Sequence, residues 1–342
     1  MFCRFITNQS TNLLLNTRTR AAIIGGIITS LVIAVFAISL NSNIFKQSNT
    51  QQNSIQNNVG ITSKLKVVAS FFPLYEFARN VGGGKAEVYS FLPIGNEPHS
   101  WEPSIQEIEQ LKGTQLFIYN GAGMESYISK FMSSGEFSNM TFVKVTKGIT
   151  LLKADAAEDD KEILAQGGMD PHVWNDPILA EQEVTNIKNA MKNVDPTNAQ
   201  YYEDNANAYI TKLNTLDNDI KTGLSHCKKD TFVSFHNAFN YFSNRYGVHD
   251  VWITGIAPEA DVPPQDIQRV IQIAKDKDVK VIFSEDLVDP RLANTLADEV
   301  GAQVLVLSPL EGINQTEQQE EKTYLDKWYQ NLHNLRMALE CQ

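Results

Sequence analysis

The sequence predicts an α/β protein of two lobes, each a mainly parallel β-sheet flanked by helices, joined by one long rigid helix. Three observations predict it. From Lys64 onward, short β-branched or apolar runs alternate with stretches of helical spacing, as parallel strands covered by helices do. The alternation pauses before residue 193 and restarts after residue 228. Between the halves, apolar residues keep helical spacing for several turns, with no proline after Pro196.

Residues 1–20 form a basic N-terminus ending in Arg18 and Arg20, ahead of the uncharged run AAIIGGIITSLVIAVFAISL at 21–40. About twenty apolar residues suffice to cross a bilayer as a helix. The positive-inside rule then leaves 1–20 in the cytoplasm and sends the rest outside, anchored to the cell membrane at the cell surface or in a periplasm-equivalent space. A cleavable signal peptide is the alternative reading. Cys3 precedes the run, so no cysteine stands where a lipid-modified N-terminus would need one. Residues 41–63, rich in Asn, Gln and Ser, read as a flexible tether.

The N-terminal lobe is expected at 64–192. KVVAS (66–70) reads as a strand, FPLYEFARNVGG as a helix closed by glycine, and AEVYSFLPIG (86–95) as the next strand. SIQEIEQLKG (104–113) reads as a helix, with strands at QLFIYNG (115–121) and FVKVT. The acidic stretch 154–168 reads as a solvated loop ahead of DPHVWNDP. Residues 193–227 give the linking helix, with Tyr209, Ile210, Leu213, Leu216, Ile220 and Leu224 as its apolar stripe. The C-terminal lobe, 228–342, repeats the alternation: TFVSF, NAFNYFSNRYG, VWITGI, PPQDIQRVIQIAKDKD, VKVIFSE, PRLANTLADEVG and QVLVLSP.

A net charge of −11 argues against nucleic acid or an anionic membrane surface as the main partner and suits a small cation. Three of the six histidines stand where such a cation would be held. His99 lies in the stiff loop PIGNEPHSWEPS, His172 in DPHVWNDP, and His236 directly after TFVSF. Loops beyond the carboxyl ends of parallel strands converge on one cleft. His226, His249 and His333 are assigned surface or helix-end roles. Three neutral imidazoles suit zinc, copper or nickel, whereas a carboxylate-dominated set would suit manganese or calcium. Glu311, in LSPLEGINQ after the last strand, would close a tetrahedral site. Binding should weaken in acid, because imidazoles coordinate only when neutral.

Around the ligands, Glu102 and Asp170 are candidates for orienting the imidazoles, with helix capping or plain solvent exposure as the alternative. Trp101, Trp174 and Phe239 are expected to pack against the lobes and to shield the metal from water. The two cysteines of the exported part, Cys227 and Cys341, are expected to bridge and pin the last helix to the start of the second lobe.

From about residue 64 to the end, the chain resembles the zinc-type solute-binding proteins of metal-ion ABC transporters, the cluster A-I binding proteins. The likeness is carried in order by VVASFFPLYEFARNVGG, LPIGNEPHSWEPS, YNGAGMESYI, DPHVWNDP, SFHNAFNYFSNRYG, GIAPEADVPPQDI, VIFSEDLVDPRLANTLADEVG and LSPLEG. It implies His99, His172 and His236 as first, second and third ligands. Manganese-type relatives tend to carry Glu at the third position, so His236 favours zinc. Some family members use a late aspartate as the fourth ligand, some a glutamate, some water. Ser308 stands at the aspartate position here, which leaves Glu311. Unlike members with a His-rich acidic loop, this chain has no histidine in 154–168.

The resemblance further implies a metal site between the lobes with modest motion on release. The expected function is a monomeric extracellular receptor, with no catalytic residues, that captures Zn²⁺ and delivers it to the membrane permease of an ABC transporter. Manganese or another divalent metal is the alternative cargo. A zinc hydrolase would need an open coordination position, and no HExxH motif is present. A surface adhesin would leave the metal site intact.

Overall fold

The structure, a computed structural model, describes residues 64–154, 168–259 and 262–342. The expected membrane segment, the tether and nearly all of the acidic loop lie outside these residues. Among the described residues no helix is long and apolar enough to cross a membrane.

The first sheet comprises β1 (Leu65–Ala69), β2 (Ala86–Ser90), β3 (Leu116–Tyr119) and β4 (Thr141–Lys144), all parallel, in the order β2-β1-β3-β4. The second repeats this order as β6-β5-β7-β8, with β5 (Thr231–His236), β6 (His249–Thr254), β7 (Val281–Ser284) and β8 (Gln303–Val306). In each sheet the direction of winding reverses beside the first strand, between β1 and β3 and between β5 and β7. Crevices that hold ligands form at such reversals.

Helices cover the sheets. In the first half these are α1 (Phe72–Gly82), α2 (Ile105–Gln110), α3 (Ile128–Ser133) and α4 (Pro177–Val194). The second half carries α6 (Asn240–Tyr246), α7 (Pro264–Asp276), α8 (Arg291–Val300), α9 (Gln315–Gln319) and α10 (Tyr324–Ala338). Between them runs α5 (Ala199–Gly223), which packs on α1, α4 and α10. Its start is displaced from Pro196 because Pro196–Asn198 form a separate 3₁₀ turn. Tyr202, Ala206, Tyr209, Leu213, Leu216 and Ile220 form its buried stripe. A fully buried Leu or Ile contributes about 1.5–3 kcal/mol, which suffices to hold such a helix against both halves.

One apolar core is shared by the two halves. It runs from Leu65 and Val67 of β1, through the α5 stripe, to Phe232 and Phe283 of the second sheet and Trp328 of α10. Hydrogen bonds cross the same seam: Trp174 Nε1–H donates to Pro309 O at 2.8 Å, Tyr324 O–H to Trp174 O at 2.6 Å, and Gly95 N–H to Ile313 O at 3.0 Å. Cys227 and Cys341 are disulfide-bonded, tying the segment after α5 to the segment after α10.

Three sequence expectations are corrected. The strand read over 86–95 stops at Ser90; Phe91 and Leu92 still donate to Ala69 O and Ser70 O, but Pro93 has no N–H to continue. The last strand ends at Val306 instead of running to Pro309, which frees the loop carrying Glu311. The strand read as VWITGI begins two residues earlier, at His249, whose N–H donates to Asp230 O at 2.7 Å and whose side chain is exposed as expected.

Candidate metal centre

Local sequence chemistry sets each candidate ligand in place. In the His99 loop, the Glu97 carboxylate accepts from the backbone N–H of His99 at 3.0 Å and of Ser100 at 3.1 Å, folding the chain into a tight turn. Asp170 does the same two residues before His172, accepting its backbone N–H at 2.9 Å, and a 3₁₀ turn over Val173–Asn175 follows. His236 is the last residue of β5 and so emerges at the winding reversal of the second sheet. Glu311 follows Leu310, whose φ of 62° places it in the left-handed region.

These four residues converge from both halves of the fold. Their ligand atoms all lie within 4.8 Å of one another. His172 Nε2 is 3.2 Å from His99 Nε2 and 3.3 Å from His236 Nε2. Glu311 Oε1 lies 3.3, 3.2 and 3.3 Å from the Nε2 atoms of His99, His172 and His236. A tetrahedral ion with bonds of about 2.0–2.1 Å has ligand-to-ligand edges of about 3.3 Å, so five of the six edges already match zinc coordination. His172 and His236 are fully buried and Glu311 nearly so, whereas His99 is only partly covered. The cluster is reached from the His99 side.

Outer partners fix the tautomers. His172 Nδ1–H donates to Asp170 Oδ1 at 2.8 Å, and His236 Nδ1–H to Glu285 Oε1 at 2.6 Å, which leaves both Nε2 lone pairs free for an ion. Burial disfavours charge on both imidazoles, but Asp170 and Glu311 outweigh it at His172 and raise its pKa. Glu285 and Glu311 do so more strongly at His236, holding it well above the ordinary histidine value. Burial likewise pushes Glu311 up, and the imidazoles of His236 and His99 overrule it, keeping the carboxylate well below its usual range. With neutral imidazoles the site holds three buried carboxylates, a charge a divalent cation would offset.

Of the two acids read as orienting groups, Asp170 contacts an imidazole. Glu102 instead accepts from Ser126 O–H at the surface. Its place is taken by Glu285, which the sequence reading passed over. The signal was an acid ending the apolar strand VKVIFSE; the pairing Val233↔Ile282 between β5 and β7, extended three residues, sets Glu285 beside His236. Trp174 is fully buried with its ring 5.3 Å from that of His172. Trp101 packs against Phe91 and Tyr127 of the first lobe, and Phe239 against Phe232 and Phe242 of the second.

Comparison with known proteins gives a consistent result. A family model described as ZnuA, zinc-uptake complex component A periplasmic, matches residues 67–338. The high-affinity zinc uptake system protein ZnuA of Bacillus subtilis is 36% identical over 280 residues, covering 81% of this chain and 88% of that protein. The zinc-binding lipoprotein AdcA of Streptococcus pneumoniae is 31% identical over 281 residues, 81% of this chain but only 56% of AdcA. The chain thus spans just over half the length of that streptococcal relative. A crystal structure of the Zn(II)-bound ZnuA-like domain of Streptococcus pneumoniae AdcA superposes with a TM-score of 0.69 at 31% identity, covering 81% of this chain and 99% of the domain.

Proposed function

From the premise that the chain belongs to the zinc-uptake complex component A family, we propose that it captures Zn²⁺ outside the cytoplasmic membrane and delivers it to the permease of an ABC transporter. The observation that carries this reading is the convergence of His99, His172, His236 and Glu311 within 4.8 Å. Three imidazoles and one carboxylate are a donor set suited to zinc, and four protein ligands leave no open position for a reacting water. The protein acts as a receptor and needs no bond-making step. Asp170 and Glu285 hold their imidazoles in the coordinating tautomer, and Trp174 walls the buried side of the site. The apolar run at 21–40 is the segment that would attach this receptor, working as a monomer, to the membrane.

Metal analysis of the purified chain after equilibration with competing divalent ions tests the proposal. A single Zn²⁺ per chain should be retained in the presence of excess Mn²⁺. Glu311→Ala should bind more weakly and show no hydrolytic turnover to lose. Retention of Mn²⁺ in preference to Zn²⁺, or wild-type affinity in Glu311→Ala, would overturn the assignment.

A further inference from the structure

Glu311 sits on a loop with no strand or helix of its own, so something outside it must fix the carboxylate. We infer that Lys327 and Asn331, one helical turn apart on α10, are positioning residues for Glu311. The inference rests on the receptor reading above. Neither side chain belongs to the cluster of candidate ligands. Asn331 holds the segment that precedes Glu311 directly, and Lys327 reaches it through Asp286.

Asn331 brackets Ser308 through its backbone. Asn331 Oδ1 accepts from Ser308 N–H at 2.9 Å, and Asn331 Nδ2–H donates to Ser308 O at 2.6 Å. Lys327 reaches the Ser308 side chain through the Asp286 carboxylate. Its ammonium, 3% exposed, bonds Asp286 Oδ2, and that oxygen also accepts from Ser308 O–H at 3.0 Å. Ser308 Oγ in turn accepts from Leu310 N–H at 3.1 Å. A second arm of Lys327 reaches the far end of the loop: its ammonium bonds Glu317 Oε1 at 2.7 Å, while Glu317 Oε2 accepts from Asn314 N–H at 2.9 Å.

The clamp answers a specific need. Leu310 is an L-residue with a side chain held at φ 62°, where such residues are disfavoured and persist only when their surroundings over-determine them. Its side chain is fully buried, which anchors one side, and the Ser308 hydroxyl holds its N–H on the other. Because the strained dihedral lies one residue before Glu311, relaxation there would swing the carboxylate away from the imidazoles. A lysine is rarely this buried unless paired; one of its partners, Glu317, lies in the helix after the Glu311 loop, and the other, Asp286 past the end of β7, accepts from Ser308 ahead of it.

The test is a double-mutant cycle on the full chain, read as Zn²⁺ affinity by chelator competition and as the d–d absorption of bound Co²⁺. Lys327→Met should weaken Zn²⁺ by about 10- to 100-fold, the range for outer partners of metal ligands. Asn331→Ala should act in the same direction and leaves no buried carboxylates unpaired, so it carries the test if Lys327→Met fails to fold. Their Co²⁺ spectra should shift toward that of Glu311→Gln. In the Glu311→Gln background, either substitution should cost no more than about twofold. The inference fails if Asn331→Ala leaves affinity and spectrum at wild-type values, or if its full loss persists in Glu311→Gln. Failure of the receptor reading is distinguishable: the wild-type chain would then not retain Zn²⁺, and this inference would fall with it.

Discussion

Removing the Glu285 carboxylate should weaken zinc binding although Glu285 is not one of the four candidate ligands. The carboxylate is buried, accepts His236 Nδ1–H at 2.6 Å and also accepts the backbone N–H of the same residue at 3.0 Å. Glu285→Gln keeps an oxygen acceptor of the same reach and loses only the charge. A charge-assisted hydrogen bond is roughly twice as strong as a neutral one, so the loss should be about 1.4 kcal/mol, or about tenfold in Kd. Glu285→Ala removes the acceptor of the ring N–H altogether and leaves the imidazole free to turn, so the loss should reach about 100-fold, the upper end of the range for outer partners of metal ligands. Competition against a chromophoric chelator at fixed pH and ionic strength measures both. Glu102→Ala is the control, since Glu102 contacts Ser126 and no imidazole, and it should bind as wild type. The reasoning is refuted if Glu285→Ala matches the wild type, or if Glu102→Ala loses as much as Glu285→Ala.

Two further outcomes concern groups outside the four candidate ligands. The disulfide joins residues 114 apart, and closing a loop of that length in the unfolded chain corresponds to about 5 kcal/mol on the chain-entropy account. Replacing Cys227 and Cys341 by Ser should therefore lower the denaturant midpoint substantially while Zn²⁺ affinity stays within about twofold; an affinity loss without a stability loss would contradict it. On β6, burial pushes the Asp250 carboxyl from its ordinary 3.8 up to about 7. An acid raised in this way contributes stability that is fully present below 3.8 and is lost as pH rises through about 7. Asp250→Asn should thus gain on the wild type as pH rises, by about 1.4 kcal/mol per pH unit at most, and melting curves in chelator at pH 5 and pH 8 should diverge. A difference independent of pH would rule this out.

The sheets were legible because their residues are locally periodic: apolar runs such as VKVIF and TFVSF read as buried strands without reference to partners. The placement of His99, His172 and His236 after strands or in proline-bounded turns was legible for the same reason. Nearness in sequence was a poor guide to the supporting carboxylates. Asp170 reaches His172 because a two-residue turn folds back on itself, whereas Glu102, three residues from His99, turns outward to Ser126. Glu285 and His236 are 49 residues apart and meet because β7 lies beside β5.

By itself the sequence determined the α/β class, the two successive sheets, the linking helix and the residue types able to hold a divalent cation. All of these follow from side-chain chemistry and from periodicity within a few turns of the chain. Only the tertiary structure decided which carboxylate faces which imidazole, and that the last helix grips the loop bearing Glu311. Those pairings depend on strand order, register and the docking of one half on the other, which bring together atoms that no local pattern connects.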